Sequence, residues 1–230
     1  MTNNQPDEAV SIFSAIDTRR SIRAFLDKKV DDNIIRQILT VSSRAPSGTN
    51  MQPWKTTVFK DKPLAELCEI VCNEFDQRPA GYESEMPYYP ERWFEPYKAR
   101  RKKVGLDLYG LLDIKKGDTA GMHAQHRRNF QFFDAPVGFL FTIDRELATG
   151  SWLDYGMFLQ NIMLAARAFG LDTCPQAAWA DFHPPIRNFL SLPESELVVC
   201  GMAMGYADPA APENTLQTER ATLDEYTRFL

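Results

Sequence analysis

The chain has few of the residues that build metal or disulfide sites: its 230 residues include only three histidines and four cysteines. Cys68, Cys72, Cys174 and Cys200 lack the two-residue spacing of zinc or redox motifs, and Cys68 and Cys72, four apart on a helix-like stretch, read as free thiols. His123 and His126 have no thiolate or third ligand at a suggestive spacing, and His183 precedes two prolines, so no metal site is expected. No apolar run is long enough to cross a bilayer, and the start, Met-Thr-Asn-Asn-Gln-Pro-Asp-Glu, lacks the basic and apolar segments of a secretion signal. These absences predict a soluble, cytoplasmic protein with no membrane partner. Excess positive charge is missing too. The formal net charge is −5, and a nucleic-acid binder would spread surplus Lys and Arg over a broad face, so no nucleic-acid partner is expected. Neither a Walker loop nor a Gly-x-Gly-x-x-Gly after a strand is present.

The composition that remains, 44% hydrophobic and 25% charged, is ordinary for a globular protein, and residues 1–230 read as a single domain. Periodicity predicts helices at about 7–18, 31–43, 62–76, 119–131, 150–169 and 183–190, and strands at 54–60, 136–143 and 197–204. The helix from Trp152 to Phe169 is apolar on nearly every face, and Gly156 would allow close backbone approach. Such a helix suits burial between layers or in a subunit interface, and an obligate dimer would explain it. Residues 78–118 differ in character, with Tyr82, Tyr88, Tyr89, Trp93, Phe94, Tyr97 and Tyr109 interleaved with prolines and charges. This insertion reads either as a lid or as a surface excursion pinned by aromatic packing.

Two segments suggest chemistry. Arg19, Arg20 and Arg23 flank Ser21 in an otherwise acidic chain. This cluster is either a site for a small anion such as one phosphate group, or a solvated charge run closing a helix. Arg44-Ala45-Pro46-Ser47-Gly48-Thr49-Asn50-Met51-Gln52-Pro53-Trp54 then lies between a helix and a strand. Its prolines and glycine favour an irregular backbone that can expose N–H groups, and its hydroxyls and amides suit a polyol or a heterocycle edge.

Arg-Arg-Ser-Ile-Arg-Ala-Phe followed about 25 residues later by Ala-Pro-Ser-Gly-Thr-Asn-Met-Gln-Pro-Trp resembles the FMN-dependent nitroreductase family. The likeness extends through Phe133-Asp134-Ala135-Pro136-Val137, the long helix, Gly170-Leu171-Asp172-Thr173-Cys174-Pro175-Gln176, and Gly201-Met202-Ala203-Met204-Gly205-Tyr206. Within the family the chain looks most like the nitrobenzene and nitrobenzoate reductase branch, with its closing pattern from Ala207-Asp208 to Glu213-Asn214. The resemblance implies an α+β, three-layer fold with a central mixed, mostly antiparallel sheet flanked by helices, in an intertwined homodimer.

It further implies that Arg19, Ser21 and the Arg20 backbone grip the FMN phosphate. Arg23 would sit by the pyrimidine end of the flavin, where negative charge appears on reduction. Pro46, Ser47, Gly48 and Asn50 would contact the flavin from the other subunit, with Gln52 close behind. Pro175, Gln176 and Ala177 would pass the reactive N5, while Arg128 and Gln131 match positions at the pyrimidine edge. Many relatives end in Lys-x-Arg at the phosphate, whereas Thr218-Glu219-Arg220 here leaves Arg220 as the phosphate partner. Many also have an acidic residue where this chain has Ala177, so N5 would rely on the backbone.

The implied activity is reduction of nitroaromatic compounds with NADH or NADPH, through the nitroso compound to the hydroxylamine, in ping-pong turnover and with no catalytic side chain. Tyr88, Trp93, Phe94, Tyr97 and Trp179 are expected to form a ring-stacking wall. Two alternatives stand beside it. One is reductive dehalogenation of halophenols, for which Glu95, Tyr97 and Lys98 offer the residue types but not the spacing. The other is a flavin-binding module without turnover, which failure of NADH and NADPH to bleach the flavin would reveal.

Overall fold

The structure is a computed structural model that describes residues 11–230, so the start of the first helical pattern, 7–10, lies outside the described residues. In chain order the helices and strands are α1 (Ile12–Thr18), α2 (Asp32–Ser42), β1 (Lys55–Phe59), α3 (Asp61–Gln77), α4 (Tyr97–Leu111) and α5 (Thr119–Arg127). They continue with β2 (Val137–Asp144), α6 (Thr149–Arg167), β3 (Asp172–Gln176), α7 (His183–Leu190), β4 (Glu196–Gly205) and α8 (Leu223–Tyr226).

The two most apolar strands occupy the middle of the sheet, whose order is β1-β2-β4-β3 with every neighbouring pair antiparallel. Both are buried along almost their whole length, because helices cover both faces of the sheet. Val137, Phe139, Phe141 and Ile143 point toward the layer containing α2 and α6, where they meet Ile38, Tyr155, Phe158 and Ile162. Leu140, Val198 and Ala203 point the other way, toward Leu67, Val71, Trp179 and Ile186 of the layer containing α3 and α7. The result is helix, sheet, helix, held by alternating side chains.

One irregularity bears on function. The β2–β4 register shifts between Phe141, opposite Cys200, and Thr142, opposite Val198, leaving Val199 as the extra residue of a bulge. A bulge reverses the in–out alternation beyond it, so Val199 and Cys200 both face the α6 layer.

Helix α6, expected to be buried between layers or in a subunit interface, is only partly buried within this chain. Tyr155, Phe158, Ile162 and Met163 pack inward, and the Tyr155 hydroxyl donates to the Lys55 and Thr142 carbonyls at 2.8 and 3.0 Å. Leu153 and Met157, four residues apart on another face, are exposed. A Cβ at Gly156 would meet nothing within 4 Å, so within this chain the glycine makes no close backbone contact. Among the described residues no helix is long and apolar enough to cross a membrane.

Candidate active site

The Arg19–Phe25 segment leaves α1 and runs beside the edge strand β3. Arg19 is the C-cap of α1, with its N–H donating to the Ala15 carbonyl at 3.1 Å. Beyond it Ser21 bridges Thr173 in parallel, and the Ile22 N–H donates to the Thr173 carbonyl at 3.1 Å. This adds a short parallel element to an otherwise antiparallel sheet. Its far end is fixed by the C-terminal segment. The Asn214 side chain accepts from the Arg23 N–H at 2.8 Å and donates to the carbonyls of Ala24 and Asp208 at 2.8 and 2.9 Å. Asn214 was visible in the sequence only as part of a closing pattern, and the structure shows that it positions Arg23.

Arg19 is half-buried, and burial lowers its pKa, followed by repulsion from Arg220, which places the two cations in one another's field. None of the described ion pairs includes Arg19, Arg23 or Arg220. Helix closure accounts for the position of Arg19 but not for a second cation brought to it from the far end of the chain. Two guanidiniums near one another without a carboxylate make a site for a doubly charged oxyanion. Ser21 sits against the Cys174 thiol, whose pKa burial pushes up to about 11 despite the charges of Arg23 and Arg19. That thiol is therefore a neutral packing group. Arg20 is exposed, and its charge acts on Asp172.

At the other end of the segment Arg23 lines a cavity of about 550 Å³ between α4 and α5, together with Gln125, Asn129, Tyr89 and Phe133. Gln125 is buried, and its amide has no hydrogen-bond partner among the described side-chain bonds. Gln125 and Asn129 share this cavity with Arg23, whereas Arg128 and Gln131, the expected pyrimidine-edge positions, do not line it. Arg128 is tied to Glu213 at 2.5 Å and to Asp134 at 3.1 Å, and Gln131 opens into a separate cavity beside Cys68 and Pro136. The cause is local: α5 ends at Arg127 and the chain tightens into a 3-10 turn, Arg128–Asp134, with φ of 49°, 55° and 66° at Phe132, Phe133 and Asp134. The helical phase is lost there.

Pro175, Gln176 and Ala177 line a second cavity, of about 600 Å³, with Trp152, Tyr155 and Gly156 of α6, Val199 and Cys200 of the bulge, and Tyr88. Gln176 donates to the Asn129 carbonyl at 2.6 Å, while its buried side-chain oxygen has no partner. One strand edge therefore presents, in sequence, an oxyanion site, a cation beside two amides, and a buried acceptor without a donor. Such a donor and acceptor set fits a phosphorylated isoalloxazine, with cations for the phosphate and amides for a uracil-like edge.

Of the expected ring wall, only Tyr88 lines either cavity. Trp93 packs at a tilt against Tyr89, and Phe94 packs edge-on to Tyr97. Trp179 is corrected outright. It is 0% exposed, stacks on Phe132 at 4.2 Å between ring centres, and fills space that a Cβ at Gly201 would take, 2.4 Å from its ring. It is a core residue and cannot meet a substrate. The structure adds Tyr89, Trp152 and Tyr155 to the cavity walls. Glu95, Tyr97 and Lys98 lie together at the start of α4, where Glu95 accepts from the Ala99 N–H at 3.2 Å.

The Pro46–Gln52 loop is set by bonds within its own region. The Gly48 N–H donates to Asp154 of α6 at 3.0 Å, and the Gln52 N–H donates to Ser47 at 3.0 Å. Thr49, Asn50 and Gln52 have φ of 50°, 61° and 49°, unusual for non-glycine residues and most so for β-branched Thr49. Asn50 and Gln52 are exposed, and no described hydrogen bond joins the loop to Arg19–Arg23.

The insertion is fastened chiefly at Glu85. Its carboxylate pairs with Arg145 at 2.6 Å, His183 at 3.1 Å and Arg187 at 3.2 Å. Burial would raise its pKa, but the Arg145 hydrogen bond and the charges of His183, Arg145 and Arg187 outweigh burial and lower it. With a depressed native value, the stabilisation is complete above the ordinary glutamate range and is lost as pH falls through that lowered value. Glu85→Gln is accordingly expected to hasten proteolytic cleavage within residues 78–96 at neutral pH, with little further acceleration on acidification, whereas the wild type accelerates only in acid. Equal cleavage rates at neutral pH would show that Glu85 does not hold the insertion.

The Nitroreductase family pattern matches residues 16–206. The chain is 39% identical over 219 residues to the nitrobenzene nitroreductase of Ectopseudomonas oleovorans, covering 95% of this chain and 96% of that one. It is 40% identical over 220 residues to the 4-nitrobenzoate reductase of Pseudomonas putida, covering 94% of each. Among solved structures, the FMN and NADPH-dependent nitroreductase NfnB from Sphingopyxis sp. strain HMH superposes with a TM-score of 0.92 at 35% identity, covering 96% of this chain and 99% of that one. With the family pattern spanning most of the chain and relatives of this identity matching nearly their full length, the chain belongs to the nitroreductase family.

Proposed function

We propose that the chain is an FMN-dependent oxidoreductase that uses NADH or NADPH to reduce nitroaromatic compounds, and that it works as a homodimer. The observation that supports this best is the order of groups along the β3 edge: Arg19 and Arg220 for the phosphate, then Arg23 with Gln125 and Asn129 for the pyrimidine, beside Pro175–Ala177. Bound FMN would supply the redox chemistry, taking hydride from the nicotinamide and passing electrons in pairs to the nitro group, through nitroso to hydroxylamine. The protein's part is positioning and electrostatics. Arg23, held by Asn214 and by donation to the Ser21 carbonyl at 3.2 Å, places fixed positive charge where negative charge develops. Tyr88, Trp152 and Tyr155, with Met86, Leu159 and Val199, give the reacting cavity a largely apolar lining that limits water.

Exposed apolar surface favours the homodimer. Ile12, Phe13 and Ile16 on α1, and Leu153 and Met157 on α6, face outward. With Pro46, Ser47, Gly48, Asn50 and Gln52 unable to reach the Arg segment through any described bond, a second copy is what would complete the site. The test is direct. Purified protein should be yellow or take up FMN, NADH or NADPH should bleach it, and a nitroarene should restore the colour under nitrogen. A colourless preparation that does not bind FMN defeats the reading, and a flavin that neither nucleotide bleaches would make the chain a binding module.

A further inference from the structure

The cavity between α4 and α5 holds two cations besides the Arg23 assigned to the flavin. Arg101 and Lys102 line it with Arg23, and no Asp or Glu does. Their neighbours on α4 are neutralised, Arg100 by Glu225 and Lys103 by Asp107 and Glu219. Arg101 instead lies over the Trp93 ring at 4.8 Å, and neither Arg101 nor Lys102 takes part in a described ion pair. In a chain of net charge −5, three cations share one cavity without a carboxylate. The rest of the lining combines the polar side chains of Gln125, His126 and Asn129 with apolar and aromatic ones, among them Tyr89, Leu108, Tyr109 and Phe133. A phosphate alone would need only the cations, whereas unpaired cations set among aromatic rings match a compact aromatic acid. The flavin's pyrimidine edge would take part of the roughly 550 Å³, beside Arg23, Gln125 and Asn129, and the acid would lie against it in the remainder.

We propose that Arg101 and Lys102 form an anion subsite that binds a carboxylate on the aromatic ring of the substrate, so that nitroarene acids are preferred to neutral nitroarenes of the same shape. The inference rests on the nitroreductase reading. Arg101 and Lys102 are specificity residues rather than catalytic ones, since they meet the charged end of the substrate and not the group being reduced. α4 belongs to the insertion, so the insertion would determine which nitroarenes are accepted.

The test compares 4-nitrobenzoate with 4-nitrobenzamide, which differ in charge but scarcely in shape, using holoenzyme at saturating NADPH, with KM for NADPH measured separately by varying the nucleotide. Combined Arg101→Ala and Lys102→Ala should raise KM for the benzoate about ten- to a hundredfold relative to the amide, the scale of one or two lost charge-assisted hydrogen bonds. Arg101→Lys should restore most of that preference. An unchanged benzoate-to-amide ratio, or a raised KM for NADPH in its place, would overturn the subsite, the second result assigning these cations to the nucleotide. If the wild type reduces neither compound while its flavin is bleached normally, the nitroreductase reading itself fails.

Discussion

Replacing Arg19 by alanine is expected to weaken FMN retention about a hundredfold, while replacing Arg23 leaves FMN bound but harder to reduce. The difference follows from where the two guanidiniums lie. Arg19 is half-buried, repelled by Arg220 and without a carboxylate, so in the free protein it is an uncompensated charge. A phosphate dianion relieves that repulsion and gains charge-assisted hydrogen bonds, each worth about 1.5–3 kcal/mol, and 1.4 kcal/mol corresponds to about tenfold in affinity. Arg220 remains in the variant but is more exposed, and its guanidinium already donates to the Thr218 side chain at 2.6 Å. It therefore compensates only in part. Arg23 stands at the other pole, in the cavity with Gln125 and Asn129. Its charge matters most when negative charge appears there, so Arg23→Ala should lower the reduction potential with a smaller change in affinity. Equilibrium dialysis and a dye-equilibrated redox titration separate the two effects. If Arg23→Ala lost FMN more readily than Arg19→Ala, the assignment of the poles would be reversed.

What the sequence revealed and what it concealed both have physical causes. Strands β1, β2 and β4, and helices α2, α3, α6 and α7, follow periodic apolar patterns because each packs against a continuous core, and their ends fall within about two residues of the periodicity. β3 was missed because it is a five-residue strand containing Pro175. Its neighbours in the described structure are β4 and the bridge to Ser21, so it is tolerated as an edge that shows no strand pattern. α4 was missed for the opposite reason: none of its residues is buried, so no apolar face marks it.

The site divides in the same way. Arg19, Ser21, Arg23, Pro175, Gln176 and Ala177 were expected from their motif, and they lie along one strand edge. Gln125 and Asn129, which line the cavity with Arg23, were not expected, because their placement depends on where α5 gives way to a tighter turn. Trp179 was misread because sequence alone cannot distinguish an aromatic that lines a pocket from one that plugs the core. What distinguishes them is Gly201, whose missing side chain leaves room for the indole across the sheet.

The proposed homodimer leads to the second large effect, and it ties packing to cofactor binding. Phe13 is 88% exposed and Leu153 is 72% exposed, on helices α1 and α6 that pack together. A single chain would leave these side chains in water, forgoing about 1.5–3 kcal/mol for each. Placing a carboxylate in such a buried patch leaves it unpaired, at a cost of several kcal/mol per interface copy, and in a twofold dimer each substitution acts twice. Leu153→Asp combined with Phe13→Asp should therefore yield a folded monomer by sedimentation equilibrium, with its circular dichroism retained because neither residue belongs to the core. That monomer should also lose FMN, although neither position belongs to the Arg19–Arg23 segment or to Pro175–Ala177. The loss follows if Ser47, Gly48 and Asn50 reach the flavin only from the second copy. A monomer that kept FMN at wild-type affinity would show that one chain holds the whole site, and the Pro46–Gln52 loop would then need another role to explain three strained φ angles among the exposed residues Thr49 to Gln52.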